Sequence, residues 1–88
     1  MPESEVPKVG LGTVYLQKGD FASAVNSCQQ ALDLNPESDY ARVHLAEALL
    51  FQNKSEAAKI ELKKVIEKSP DSAYSRTADN LLKAIEQI

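Results

Sequence analysis

Tryptophan is absent from this sequence of 88 residues, and cysteine, histidine and methionine each occur once. Each shortage closes off an explanation. A single thiol, Cys28, makes no internal disulfide, so the chain is not a small cross-linked scaffold of the secreted type, and a reducing compartment is permitted. One histidine, His44, and one cysteine make no His/Cys metal cluster, and a Cys–His catalytic pair would need two separate helices. No basic segment followed by an apolar stretch opens the chain, and no run approaches the roughly 18 apolar residues of a membrane span. The expectation is a soluble chain that does not insert into a membrane. Its default compartment is the cytoplasm, with the periplasm as the alternative for a piece of a longer parent. Basic residues are also short, with 10 Lys and Arg against 13 Asp and Glu and a formal charge of -3. That argues against a general nucleic-acid binder, whose affinity rests on a basic surface.

Three glycines, four prolines and 43% apolar residues describe a helical protein. The length lies below the mode of about 100 to 150 residues per domain, so residues 1–88 are expected to form one domain. A chain this short buries only about 60% of its unfolded surface and needs strongly regular parts. An internal period supplies them. Asn35-Pro36-Glu37-Ser38 recurs as Ser69-Pro70-Asp71-Ser72, one period of 34 residues later. At that offset Leu11-Gly12 falls on Leu45-Ala46, Gly19 on Asn53, Ala24 on Ala58, Cys28 on Leu62, and Ala31-Leu32 on Val65-Ile66. Size and polarity repeat, but charge does not. Residues 1–38 hold two basic and five acidic residues, whereas residues 39–72 hold six of each.

Each unit reads as two helices. In the first, Pro7 suits a first turn with Ser4 as N-cap, and Val9, Leu11, Val14, Tyr15 and Leu16 recur at helical spacing. Gly19 supplies a left-handed stop. Asp20 caps the next helix, whose apolar stripe is Phe21, Ala24, Val25, Cys28, Ala31 and Leu32. The second unit repeats this grammar, with a turn at Asn53 and Ser55 as N-cap. Helices are expected at about 7–18, 21–34, 39–52, 55–68 and 73–87. The last, capped by Ser72, carries Tyr74, Ala78, Leu81, Leu82, Ile85 and Ile88 as an apolar stripe.

The first unit, with Leu11-Gly12, Tyr15, Gly19-Asp20-Phe21, Ala24, Ala31 and Pro36 in place, resembles the tetratricopeptide repeat, a 34-residue helix-turn-helix unit. The second matches at Leu45, Ala46, Ala58 and Pro70, while Leu49, Asn53, Ser55 and Leu62 depart from the usual aromatic and glycine residues. The resemblance implies an all-α superhelix: repeat 1 at about 5–38, repeat 2 at about 39–72 and a capping helix at about 73–88. Asp79-Asn80 stand where Leu-Gly belongs in a third unit, so the register is expected to slip there by two or three residues. Pro70-Asp71-Ser72-Ala73-Tyr74 is in turn similar to the slightly longer repeats of bacterial envelope-assembly and cell-division-coordination proteins.

The residues offer little chemistry. Cys28 sits on a buried stripe as an inert thiol, and His44 is a solvated or groove-lining residue without a catalytic partner. Gly10-Leu11-Gly12 lies inside a helix with no strand before it, so it is no phosphate loop, and no cofactor is expected. Lysines 54, 59, 63, 64 and 68 interleave with Glu56, Glu61 and Glu67 as a solvated face, with pairs expected at Glu56/Lys59, Glu61/Lys64 and Lys63/Glu67. No aromatic residues alternate with them to stack bases.

Binding by shape remains. In the family, the first helix of each pair lines a concave groove for peptides. The resemblance places Val6, Val9, Thr13 and Leu16, then Tyr40, Val43, His44, Glu47, Leu50 and Phe51, then Tyr74 and Thr77, on that face. Its chaperone-binding branch grips terminal carboxylates with Lys, Asn and Arg; here those places hold Val9, Thr13, His44, Tyr74 and Ala78, so no such clamp is implied. The leading expectation is a non-enzymatic interaction module that takes a peptide or partner helix in an apolar groove. The alternative is a scaffold segment of a longer repeat protein, or a self-associating domain, of a bacterial envelope-assembly or secretion protein.

Overall fold

Helix starts recur at one fixed interval. The computed structural model describes residues 5–86, with side chains from residue 10 onward. They form α1 (Glu5–Lys18), α2 (Phe21–Leu34), α3 (Asp39–Phe51), α4 (Ser55–Lys68) and α5 (Ala73–Glu86), and no strand occurs among the described residues. α3 begins 34 residues after α1, α5 begins 34 after α3, and α4 begins 34 after α2. α1 opens two residues earlier than expected and α3 closes one earlier, with Gln52 as its C-cap. Ser4 lies outside the described residues.

The turns inside each pair depend on one residue each. Gly19 has φ 81° and Asn53 has φ 61°, the left-handed conformation that glycine and asparagine tolerate best. Asp20 then caps α2 by accepting from the Ser23 amide at 3.2 Å. The matching place before α4 is Lys54, which makes no side-chain cap bond, and Ser55 is already the first helical residue. The expected Ser55 cap is thereby corrected: the left-handed residue and the cap occupy successive places, as Gly19 and Asp20 do. Ser38 caps α3 through the Ala41 amide at 3.1 Å, and Ser72 caps α5 through the Ser75 amide at 3.0 Å.

Helices pack as antiparallel neighbours in chain order, α1 on α2, α2 on α3, α3 on α4 and α4 on α5. α1 also meets α3, and α3 meets α5, so these three form one row with α2 and α4 behind it. The smallest dimension of the molecule, 17 Å, matches two helix layers with axes about 8–10 Å apart. Small residues allow that spacing. Ala24, Ala31, Ala41, Ala46, Ala48, Ala58 and Ala78 are fully buried, with Leu62, Val65 and Cys28 the largest side chains fully enclosed. Gly12 faces Cys28, and a Cβ there would stand only 2.8 Å from the sulfur. No described helix is long and apolar enough to cross a membrane.

The last helix corrects the expected slip in register. Its buried residues Ser75, Ala78, Leu82 and Ile85 lie 34 residues beyond Ala41, His44, Ala48 and Phe51, so α5 offers to α4 the side that α3 offers to α2. Asp79 and Asn80 correspond to Leu45 and Ala46, which α3 turns toward α4; on α5 that side is exposed. They are polar because no described helix covers them, and the period is unbroken. Ser75 interrupts the stripe for a local reason. Its buried hydroxyl contacts the carbonyls of Val65, at 3.3 Å, and Ser69, each of which also accepts a backbone amide where α4 ends, so the hydroxyl is not left without a partner.

The lysine face is laced as expected at two of three places, Lys59 with Glu56 at 3.4 Å and Lys64 with Glu61 at 3.5 Å. Lys68, for which no pair was expected, turns toward the start of α3, where it meets the Glu37 and Asp39 carboxylates at 3.2 and 3.5 Å and the Glu37 carbonyl. Arg42 donates to the Pro36 carbonyl at 2.9 Å and lies 3.6 Å from Glu61.

Candidate functional site

The row α1, α3, α5 gives its free side to solvent, and there an open cavity of about 290 Å³ lies between α1 and α3. Thr13, Leu16 and Gln17 form one wall; His44, Glu47 and Phe51 form the other. Helical spacing explains both walls. Thr13 and Gln17 are four apart on α1, and His44, Glu47 and Phe51 follow at three and four on α3, so each set shares a helix face. Thr13 keeps its hydroxyl turned onto its own helix by donating to the Gly10 carbonyl at 2.7 Å.

Aromatic residues extend this surface along α3 toward α5. The Tyr40 ring meets His44 edge-on with centroids 5.0 Å apart, and Tyr74 lies 6.2 Å beyond Tyr40. At the other end Phe51 stacks on Phe21 at 4.9 Å and an interplanar angle of 8°. Phe51 is nevertheless 58% exposed, because α2 covers only one face of its ring. Large apolar groups left half-open beside a cavity lose more water when a partner covers them.

Charge at the site is sparse. His44 Nδ1 stands 3.0 Å from Glu47 Oε1 without the alignment of a hydrogen bond. Among the described residues Glu47 is the one carboxylate lining the cavity, and neither Lys nor Arg lines it. Beneath, burial pushes the Cys28 thiol up from 9.0 to about 11, and the Glu47 charge pushes in the same direction. An un-ionised, enclosed thiol is a poor nucleophile. Among the described residues no group of His, Cys, Asp and Glu is arranged to hold a metal.

The residues expected from the sequence divide cleanly. Thr13, Leu16, His44, Glu47 and Phe51 come together at the cavity, with Tyr40 and Tyr74 beside it. Val43 is a correction: it is only 3% exposed and belongs to the core, because α3 is flanked by helices on several sides. Leu50 is likewise packed against the core. Thr77 is exposed, with its hydroxyl bonded back to the Ala73 carbonyl at 3.2 Å. Ala78, at a clamp place, is fully buried. The side chains of Val6 and Val9 lie outside the described ones. Gln17 and Phe21 were not foreseen as site residues. Gln17 is legible as the next turn after Thr13, whereas Phe21 joins only through its stack on Phe51.

Antiparallel helix pairs at a strict interval, an alanine-lined interior and an open face on the first helices define a helical repeat protein. The tetratricopeptide repeat model matches residues 15–84, and the chain belongs to that family. It is also similar to a solved structure, the first tetratricopeptide domain of Spaghetti (RPAP3) bound to the HSP90 peptide SRMEEVD. The TM-score is 0.84 and the identity 27%, over 96% of this chain and 64% of that chain.

Proposed function

We propose that this chain is a non-enzymatic docking module whose concave face, from Phe51 through His44 and Tyr40 to Tyr74, holds an apolar peptide or helix of another protein. The half-open Phe51 ring at the rim of the α1–α3 cavity carries the reading, since an aromatic exposed this far contributes little to the fold. Support comes from the family and from the peptide seen with the Spaghetti domain. Aromatic anchors commonly contribute about 2 kcal/mol or more when a partner buries them.

The test uses a peptide selected on the chain from a displayed library. Phe51→Ala is expected to weaken it about tenfold or more with little change in melting temperature, and Tyr40→Ala to weaken it similarly with some loss of stability. Added salt should change affinity little, because the contact is mainly apolar; a steep loss would move the site to the lysine face. Unchanged affinity with lowered stability in both variants discards the groove.

A second reading rests on a different observation. Leu11 and Val14, one turn apart on α1, are 44% and 42% exposed, although Leu45, the counterpart of Leu11, is buried. That surface suits further repeats or a second copy, the scaffold role. Mass in solution measured across a concentration series separates the two: growth with concentration supports self-association, and its loss in Leu11→Ser places the contact on α1.

A further inference from the structure

The charges around the groove are arranged unevenly. Six of the described residues line the cavity, and they include one carboxylate, Glu47, with neither Lys nor Arg; Tyr40 and Tyr74 beyond it add none. Several cations of the described residues are paired away from it. Lys59, Lys64 and Lys68 pair along α4 and the start of α3, Lys83 pairs with Asp79, and Arg42 turns to Glu61 and Pro36. Among the described residues Glu47 has its close charged contact with the His44 ring, 3.0 Å away, and its side chain is 34% exposed. A carboxylate so placed is partly shielded from water yet open to a ligand. Flanking it are the half-open face of Phe51 and the Tyr40 ring, surfaces that attract a cation.

We infer that the occupant of this groove is a protein segment that combines apolar side chains with a lysine or arginine, and that Glu47 reads the basic group. This rests on the docking reading above and narrows it. Apolar contacts with Phe51, Leu16 and Tyr40 supply most of the affinity, while Glu47 sets the sign of charge accepted. A segment carrying Glu or Asp at that point would bring a second carboxylate against Glu47, with no Lys or Arg among the described lining residues to offset it. The groove therefore selects against acidic tails such as SRMEEVD, which carries three acidic side chains to one basic. One partly shielded charge pair changes selectivity by about three- to tenfold rather than by orders of magnitude.

The experiment selects peptides from a displayed random library on the intact chain and on its Glu47→Gln, Glu47→Lys and Phe51→Ala variants, each first shown by circular dichroism to melt cooperatively. Expected on the parent chain are peptides that pair large apolar residues with Lys or Arg and are poor in Asp and Glu. Glu47→Gln should lose the basic preference while keeping the apolar one, and Glu47→Lys should turn it toward acidic residues. One selected peptide is then resynthesised with its basic residue replaced by Gln and by Glu. The parent chain should bind the Gln version about three- to tenfold more weakly and the Glu version more weakly still, and Glu47→Gln should bind the basic and Gln versions equally. The SRMEEVD peptide should bind the parent chain more weakly than either. Should the Glu47 variants unfold, salt titration on the parent chain replaces them: the advantage of the basic peptide must shrink as salt rises. Apolar enrichment without charge preference overturns this inference and leaves the groove standing. Enrichment that Phe51→Ala does not alter overturns both, as does the absence of any enriched peptide, and preference for acidic peptides overturns the charge reading alone.

Discussion

Gly12 and Cys28 meet where α1 packs on α2, and together they form a two-residue device. The missing side chain at 12 is what allows the sulfur at 28 to fill the seam. Gly12→Leu should therefore cost about 1–3 kcal/mol by overpacking. Gly12→Ala sets two effects against each other, a helix-propensity gain of about 1 kcal/mol and a clash with Sγ at 2.8 Å. Combined with Cys28→Ala the clash disappears, so melting of the double variant should show favourable coupling of about 1 kcal/mol. Strictly additive effects would mean that the two residues do not meet. The same thiol gives the fold a dependence on pH. Its folded pKa of about 11 lies above the usual 9.0, so from 9 to 11 the unfolded chain loses a proton that the folded chain keeps. Stability is fully present below that window and falls by about 2–3 kcal/mol across it. Denaturation at a series of pH values should show the gap between the parent chain and Cys28→Ala narrowing over this range; a constant gap would refute it.

Among α2 to α5, α4 starts worst. Asp20, Ser38 and Ser72 cap their helices with side-chain oxygens, but Lys54 offers a cation to the positive end of α4. Lys54→Asp should raise stability by about 1 kcal/mol, as seen by thermal melting. α5 tests the opposite kind of dependence. Removing residues 73–88 uncovers the surface of α4 that Ala78, Leu82 and Ile85 now meet, and the shortened chain should associate or melt earlier. A monomer of unchanged stability would make α5 an appendage. These cases also separate what was readable in the chain from what was not. Gly19, Asn53, Asp20 and Ser72 act on backbone groups within a few residues, and their roles follow from local chemistry. The burial of Val43 does not, because it depends on which neighbours reach α3 from outside the unit. Asp79 and Asn80 misled for the same reason: their polarity reflects an uncovered side of α5, which a comparison with the first unit reads as a change of period. Of the site, Thr13, His44, Glu47 and Phe51 were legible through the repeat, whereas Phe21 entered only through packing.

Taken whole, the molecule is two layers of helix joined seam by seam, with α2 on α3 linking the first pair to the second. Leu62, fully enclosed in α4, lies in the part of the core reached by both later seams. Leu62→Ala should cost about 2–5 kcal/mol, and circular dichroism and tyrosine fluorescence should still report one shared transition. Two separated transitions would show that the pairs fold independently. The fully buried alanines have a larger consequence. Alanine has no rotamers to exchange, so the seams between helices contain few internal parts that could yield when a ligand presses on the groove. On the docking reading proposed above, the shape of the open face is fixed before anything arrives, and an incoming segment must bring its own ordering. The same rigidity separates two kinds of heritable change. Substitutions on the open face alter what is welcomed without disturbing how the helices nest, so one unchanging frame can be given a new vocabulary of partners a few side chains at a time.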